Sequence, residues 1–201
     1  MMELASPAGG PQIKGQLLVA RLEHLRTAFG SASIGRLLQG LSWADAELMR
    51  DVARERWYPF GLLHRVDEAI ARELAPDDAE IYEHLGWASA HHRTEWLGEQ
   101  AQLVSVHGFL SRAAEDHRRF HSFGRAEYRR RGFNSGELRY SGYPESYATF
   151  CRSSRGYFLG VLELLTGQPG EVEEVECQCR RDPACLFVFR WKSRPAVPPR
   201  S

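Results

Sequence analysis

Apolar positions recur at helical spacing through the first two thirds of the chain and switch to alternation afterwards. Leu18, Leu22, Leu25 and Phe29 stand three or four apart, which predicts a helix over residues 16–29 stopped by Gly30. The first of these positions, 13–19, also fit a short strand. A short helix follows over 33–41, and Ser42 caps the next, with Asp45 three residues on completing something close to a capping box. Pro59 interrupts the pattern because it cannot continue a helix. Leu62, Val66, Ile70 and Leu74 then define a helix over 61–74. Pro76-Asp77-Asp78 opens another that runs to about Trp96, its acidic first turn suiting the helix dipole. Residues 104–123 form the next helix, which ends at Gly124.

From Arg125 the period becomes two. Ala126, Tyr128 and Arg130 alternate with Glu127, Arg129 and Arg131, and a Gly-Phe-Asn-Ser-Gly turn leads into Glu137-Leu138-Arg139-Tyr140. That is a β-hairpin. Helical spacing returns over 145–165 and closes on Gly167. A second hairpin follows, from 171–179 through a turn at Arg181-Asp182-Pro183 to 185–191. The expected fold class is α+β: N-terminal helices packed on a roughly four-stranded antiparallel sheet made of two hairpins with a long helix between them. Residues 13–192 are expected to form a single domain, and 1–12 and 193–201, rich in Pro, Gly and Ser, are expected to be mobile tails.

The chain has 201 residues, 43% of them apolar and 26% charged, an ordinary globular composition. Lys plus Arg equals Asp plus Glu at 26 each, so the domain lacks the basic field of a general nucleic-acid binder. No apolar run approaches a membrane span, and no secretory signal opens the chain. A cytoplasmic, reducing compartment is the expectation, in which cysteines serve as thiols or metal ligands rather than disulfides.

Four cysteines carry the sharpest chemical signal: Cys151 near the start of the long helix, and Cys177, Cys179 and Cys185 on the second hairpin. Cys177 and Cys179 lie on one strand face, while Glu176 points to the other unless a bulge intervenes. Three thiolates and a carboxylate suit a closed tetrahedral zinc site; small thiols packed in a β core suit the same positions. His117 and His121 stand four apart and are read as surface histidines rather than a metal pair, and His91 and His92 likewise. Arg129-Arg130-Arg131 is read as a charged edge strand that resists edge pairing. Aromatics at Trp96, Phe109, Phe120, Phe123, Tyr143, Tyr147, Tyr157 and Trp191 suit either a pocket or an aromatic core. No nucleotide-binding glycine loop, nucleophile elbow or nucleophile–base pair is visible, so the chain is read as a non-enzyme.

Residues 125–191 resemble the 4-vinyl reductase domain and its relatives: the sensor domains of aromatic-responsive activators, the haem nitric-oxide-binding fold and the Golgi-transport TRAPP subunits. The resemblance is carried by Cys151, by Gly156-Tyr157-Phe158-Leu159-Gly160, and by the run from Glu176 through Cys179 to Cys185-Leu186-Phe187. The whole chain also resembles a myxobacteria-restricted family of similar length, through Arg21-Leu22, Leu25-Arg26, Trp57-Tyr58-Pro59, residues 86–90 and Gly142-Tyr143-Pro144. In the aromatic sensors the resemblance implies a structural zinc held by a helix Cys, the Glu and Cys of an E-x-x-C motif, and a following Cys. Mapped onto this chain, those are Cys151, Glu176, Cys179 and Cys185, with Cys177 falling between ligands. The loop from Cys179 to Cys185 is shorter than in those sensors, and Arg181-Asp182 stands where they carry a glycine. The implied function is a cytoplasmic small-molecule-binding or sensory domain with a small hydrophobic or aromatic ligand. A homodimeric interaction adaptor without ligand is the alternative.

Overall fold

A computed structural model describes residues 10–92 and 104–192. The predicted tails beyond these limits, and the predicted extension of the fifth helix to Trp96, lie outside the described residues. Gln12, counted with the N-terminal tail from sequence, begins strand β1 (Gln12–Lys14).

Helices α1 (Gln16–Phe29), α2 (Ala32–Gly40) and α3 (Trp43–Arg50) follow β1. The apolar stripe of α1 buries Leu18, Leu22 and Leu25, and Gly30 stops the helix at a positive φ of 77°. Ser42 caps α3 by accepting from the Asp45 N–H at 3.2 Å. Strand β2 (Trp57–Pro59) pairs antiparallel with β1, and Pro59 is the hinge into α4 (Phe60–Leu74). Helix α5 (Ile81–His92) completes the first layer, whose core includes Leu18, Leu25, Leu62, Val66, Ile70 and Leu85.

The helix predicted over 104–123 is two: α6 (Val106–Glu115) and the single turn α7 (His117–Phe120). The N-terminal strand draws the chain out of helical geometry there, because His121 bridges Ile13 and Ser122 accepts from the Gln12 N–H at 2.9 Å.

Strands β3 (Arg125–Arg130), β4 (Ser135–Ser141), β5 (Glu171–Glu176) and β6 (Cys185–Arg190) form one antiparallel sheet in the order β3-β4-β6-β5. The two predicted hairpins are present, and β4 pairs with β6 to join them. Helix α8 (Ala148–Thr166) runs between the hairpins, and its Phe158, Val161 and Leu162 pack with Leu138, Phe187 and Phe189 of the sheet. Edge strand β5 is closed to further pairing: Arg155 Nε donates to Val172 O at 2.9 Å, and Arg180 Nη2 to Glu174 O at 3.4 Å.

Helices α5 and α8 lie in backbone contact. A Cβ added at Gly86 would fall 1.8 Å from Ser153 O, and one at Gly156 would fall 2.0 Å from Glu83 O. Any larger residue at either position forces the helices apart, so glycine sets their separation. Arg21 of α1 crosses this junction, buried with Asp67 of α4 and hydrogen-bonded to Ser89 of α5 and Ser153 of α8. Among the described residues, no helix is long and apolar enough to cross a membrane.

Candidate metal centre

The thiols converge because α8 begins over the end of the sheet where β5 leaves and β6 enters. Cys151 sits in the first turn of α8, Cys177 directly follows β5, and Cys185 opens β6 opposite Tyr140 of β4. Cys151 Sγ lies 3.6 Å from Cys177 Sγ and 3.8 Å from Cys185 Sγ. A carboxylate oxygen of Glu174 joins them, and the four ligand atoms all lie within 4.8 Å of one another. All three cysteines are buried, and none is in a disulfide.

The structure distributes the sequence-derived residues unevenly. Cys151 and Cys185 are in the cluster, whereas Cys179 is exposed on the 3₁₀ turn Gln178–Arg180. Glu176 accepts from Arg139 Nη2 at 2.8 Å instead of facing the thiols. Glu174 and Cys177 stand in the remaining two places. Two E-x-x-C frames overlap in this segment, Glu174 to Cys177 and Glu176 to Cys179, and the fold brings the first to Cys151 and Cys185. Two features select it. Glu174 pairs with Phe187, so it shares the inward face of the sheet, and a register shift between Glu174 and Glu176 turns the second carboxylate away. Pairing with β6 was the missing signal, since alternation within β5 alone leaves the frame open.

The loop after Cys177 is built tightly. Asp182 accepts from the Cys177 N–H at 2.7 Å, Arg180 N–H donates to Cys177 O at 2.8 Å, and Arg181 adopts a left-handed φ of 71°. The Gln178 N–H donates to Cys185 Sγ at 3.4 Å. Hydrogen bonding from Cys151, opposed by burial and helped by that backbone N–H, pulls the Cys185 thiol down to about 7. The same contact pushes Cys151 up, and burial pushes Cys177 up to about 12. One sulfur therefore carries charge readily while its neighbours hold protons for it. Glu174 Oε1 is buried beside them with no hydrogen-bond partner.

An aromatic cluster adjoins this centre. A cavity of about 10 Å³ is lined by Tyr140, Tyr143, Tyr147 and Phe150 and shares Cys151 and Cys185 with the thiol site. That volume holds about one water molecule. His117 and His121, read from sequence as surface residues, are buried at 3% and 9% exposure beside it. Their rings stack at 4.5 Å. The correction has a simple cause: β1 lies against the exit of α7 and buries the face that carries both rings. Of the aromatics singled out from sequence, Tyr143 and Tyr147 line the cavity, Phe123 packs on Tyr143, and Trp96 lies outside the described residues. Arg131, at the end of the charged β3 run, pairs with Glu137 at 2.7 Å.

Residues 138–191 match the 4-vinyl reductase domain family. Solved structures similar to the whole chain are H-NOX domains. An H-NOX protein from S. oneidensis in the Fe(II)NO state is 14% identical, covering 90% of this chain and 100% of its own, with a TM-score of 0.70. An oxygen-binding H-NOX domain related to soluble guanylate cyclases is 14% identical, covering 94% and 100%, with a TM-score of 0.67. An H-NOX structure solved to probe the function of haem distortion in that family is 16% identical, covering 94% and 100%, with a TM-score of 0.61. No curated protein matches the chain. The chain is thus built on the 4-vinyl reductase-like fold, with H-NOX domains as its structural relatives.

Proposed function

We propose that this chain is a non-enzymatic small-molecule-binding or sensory domain whose C-terminal hairpin is tied to α8 by a structural zinc ion. Cys151, Glu174, Cys177 and Cys185 would hold it. The observation that carries this reading is the spacing of the sulfurs. Thiolates bound to zinc at about 2.3 Å in a tetrahedron stand about 3.8 Å apart. The two measured separations are 3.6 and 3.8 Å. The unpartnered Glu174 Oε1 supplies the fourth donor without any rearrangement of hydrogen bonds. Four protein ligands leave zinc no open position, so its contribution is a cross-link and not catalysis. Thiols that must stay reduced to serve as ligands suit a cytoplasmic location.

The sensory part of the reading rests on kinship with the H-NOX fold and on the aromatic cavity beside the thiols. Haem itself does not fit the interior as folded. Sites for molecules of drug size or larger occupy roughly 300–1,000 Å³, whereas the cavity here is about 10 Å³. A small uncharged aromatic molecule is the better-matched ligand class, given walls of Tyr140, Tyr143, Tyr147 and Phe150. The adaptor alternative calls for a broad apolar helix face. Among the described residues the most exposed large apolar side chains, Trp43 on α3 and Phe133 in the β3–β4 turn, sit on different elements.

Elemental analysis of the purified untagged chain, with a thiol count, tests the metal. About one zinc per chain is expected, with three of the four thiols unreactive until a chelator removes it. A metal-free protein after expression with zinc, with thiols equally reactive before and after chelation, would sink the proposal.

A further inference from the structure

Tyr143 stands on the connection between β4 and α8, at residues 142–147, where Gly142, Pro144, Glu145 and Ser146 are all exposed. Its ring nevertheless points inward, into a cage of six others. Phe123 lies at 4.9 Å between centroids, His117 at 5.8 Å and Phe150 at 5.9 Å, with Tyr140 at 6.0 Å and Phe60 and His121 at 6.2 Å. The Tyr143 hydroxyl shares a hydrogen bond of 2.8 Å with His117 Nε2.

The cage contains more polar capacity than Tyr143 uses. His117 Nδ1 and His121 Nε2 are buried without partners. The one contact of His121 Nδ1 is to the carbonyl of His117 at 3.4 Å, which puts the ring proton on Nδ1 and leaves Nε2 a bare acceptor. Burial pulls His117 down to about 4 and His121 to about 3, so both imidazoles are neutral at ordinary pH. A floor of neutral imidazoles suits an uncharged donor group and offers no counter-charge to an anion or an ammonium.

The segment bearing Tyr143 is lightly held. Gly142 takes a φ of 70°, open to glycine, and the ring lies over Gly124, where an added Cβ would meet it at 2.8 Å. From Pro144 to Ser146 the backbone makes no hydrogen bond to another backbone group among the described residues.

We propose that Tyr143 is a displaceable plug: its phenol ring occupies the ligand's place, and the ligand enters by swinging residues 142–147 outward on Gly142 and takes over the contacts to His117 and His121. The proposal rests on the reading of the domain as a small-molecule binder. The space that Tyr143 vacates is that of one six-membered ring with one hydroxyl, which sets the size of the entrant. The plug weakens ligand binding by the fraction of chains in which it is out, so removing it tightens binding.

Calorimetric titration of the full metal-loaded chain with p-cresol, the Tyr side chain as a free molecule, tests this. The comparison is between the natural chain, Tyr143→Ala and Tyr143→Phe, each checked for metal content and near-ultraviolet dichroism. Binding by the natural chain and at least tenfold tighter binding by Tyr143→Ala is the expected result. Tyr143→Phe, which keeps the ring but loses the bond to His117, should fall between. It decides the matter if the alanine variant does not fold. Equal affinities across the series would overturn the plug while leaving the small-molecule reading in place. Binding by Tyr143→Ala alone, up to the solubility of p-cresol, would overturn it too, by showing Tyr143 to be a fixed core residue. No binding by any form would overturn both the plug and the aromatic-ligand reading, and the zinc site would stand or fall on metal content.

Discussion

Two buried polar clusters tie helices to their neighbours in this domain, and they differ in whether they are complete. The Arg21 cluster closes on itself. Arg21 Nε and Nη2 donate to the two oxygens of Asp67 at 2.7 and 3.1 Å, while Nη1 reaches Leu85 O at 3.3 Å and Ser89 Oγ at 2.7 Å. Nη2 also donates to Ser153 Oγ at 2.5 Å. A guanidinium has five N–H groups, and every one of these contacts uses one. The charge is neutralised by Asp67, itself fully buried. The Cys151–Glu174–Cys177–Cys185 cluster is of similar size, yet it consists of acidic groups with no cation and an unpaired carboxylate oxygen. Low-dielectric surroundings punish unmatched polar groups. The first cluster is therefore a structural joint in its own right, and the second is a joint that needs an ion.

Breaking the closed cluster should have the larger effect on stability. Asp67→Ala strands a buried guanidinium in contact with four helices, and the expected loss is about 3–5 kcal/mol. Zinc content should be unchanged, because Asp67 and the thiols belong to separate cores. Chemical denaturation with elemental analysis of the same sample checks both halves. A variant that lost zinc along with stability would show that the two clusters form one unit.

The open cluster is sharpened by Cys177→Ser compared with chelation of the natural chain. With metal bound at about a hundred to a thousand times its dissociation constant, mass action contributes about 3–4 kcal/mol. Cys177→Ser should lose most of that, and a chelator should then cost the variant little more. Thermal melts of both proteins with and without chelator make the comparison. If chelation lowers the variant as far as the natural chain, Cys177 is not a ligand.

Much of this architecture was legible before any coordinates. Helical spacing of Leu62, Val66, Ile70 and Leu74 placed α4, and alternation from Arg125 placed the first hairpin, because each pattern is local and set by burial of one face. The closed cluster left only a hint, Arg21 lying between Leu18 and Leu25 on a buried stripe. Asp67 is likewise set between Val66 and Ile70, and nothing local says that the two meet across 46 residues. The histidine pair failed for the same reason: spacing four apart says which residues share a face, not which strand will cover it. The thiol site was half legible. Cys151 and Cys185 are the cysteines next to the long helix and at the head of the last strand, whereas the choice between two E-x-x-C frames depends on how β5 registers against β6.

That choice of frame yields the smallest expected effect and the cleanest discrimination. Cys179→Ser changes an exposed thiol on the 3₁₀ turn, and Glu176→Gln changes a carboxylate paired with Arg139 at a half-exposed position. Surface changes of this kind, and the loss of an exposed ion pair, typically alter stability by about 0.5 kcal/mol or less. Both variants should keep one zinc per chain. Glu174→Gln, two residues from Glu176 in sequence, should by contrast weaken zinc binding, because an amide replaces the anionic oxygen left unpaired beside the sulfurs. Competition with a chromogenic chelator measures all three. Retained zinc in Cys179→Ser and Glu176→Gln with weakened zinc in Glu174→Gln places the metal in the first frame. The opposite pattern would mean that the metal rebuilds the end of β5, pulling Glu176 off Arg139 and turning the exposed Cys179 inward. The register shift at Glu174–Glu176 would then be a feature of the metal-free hairpin alone.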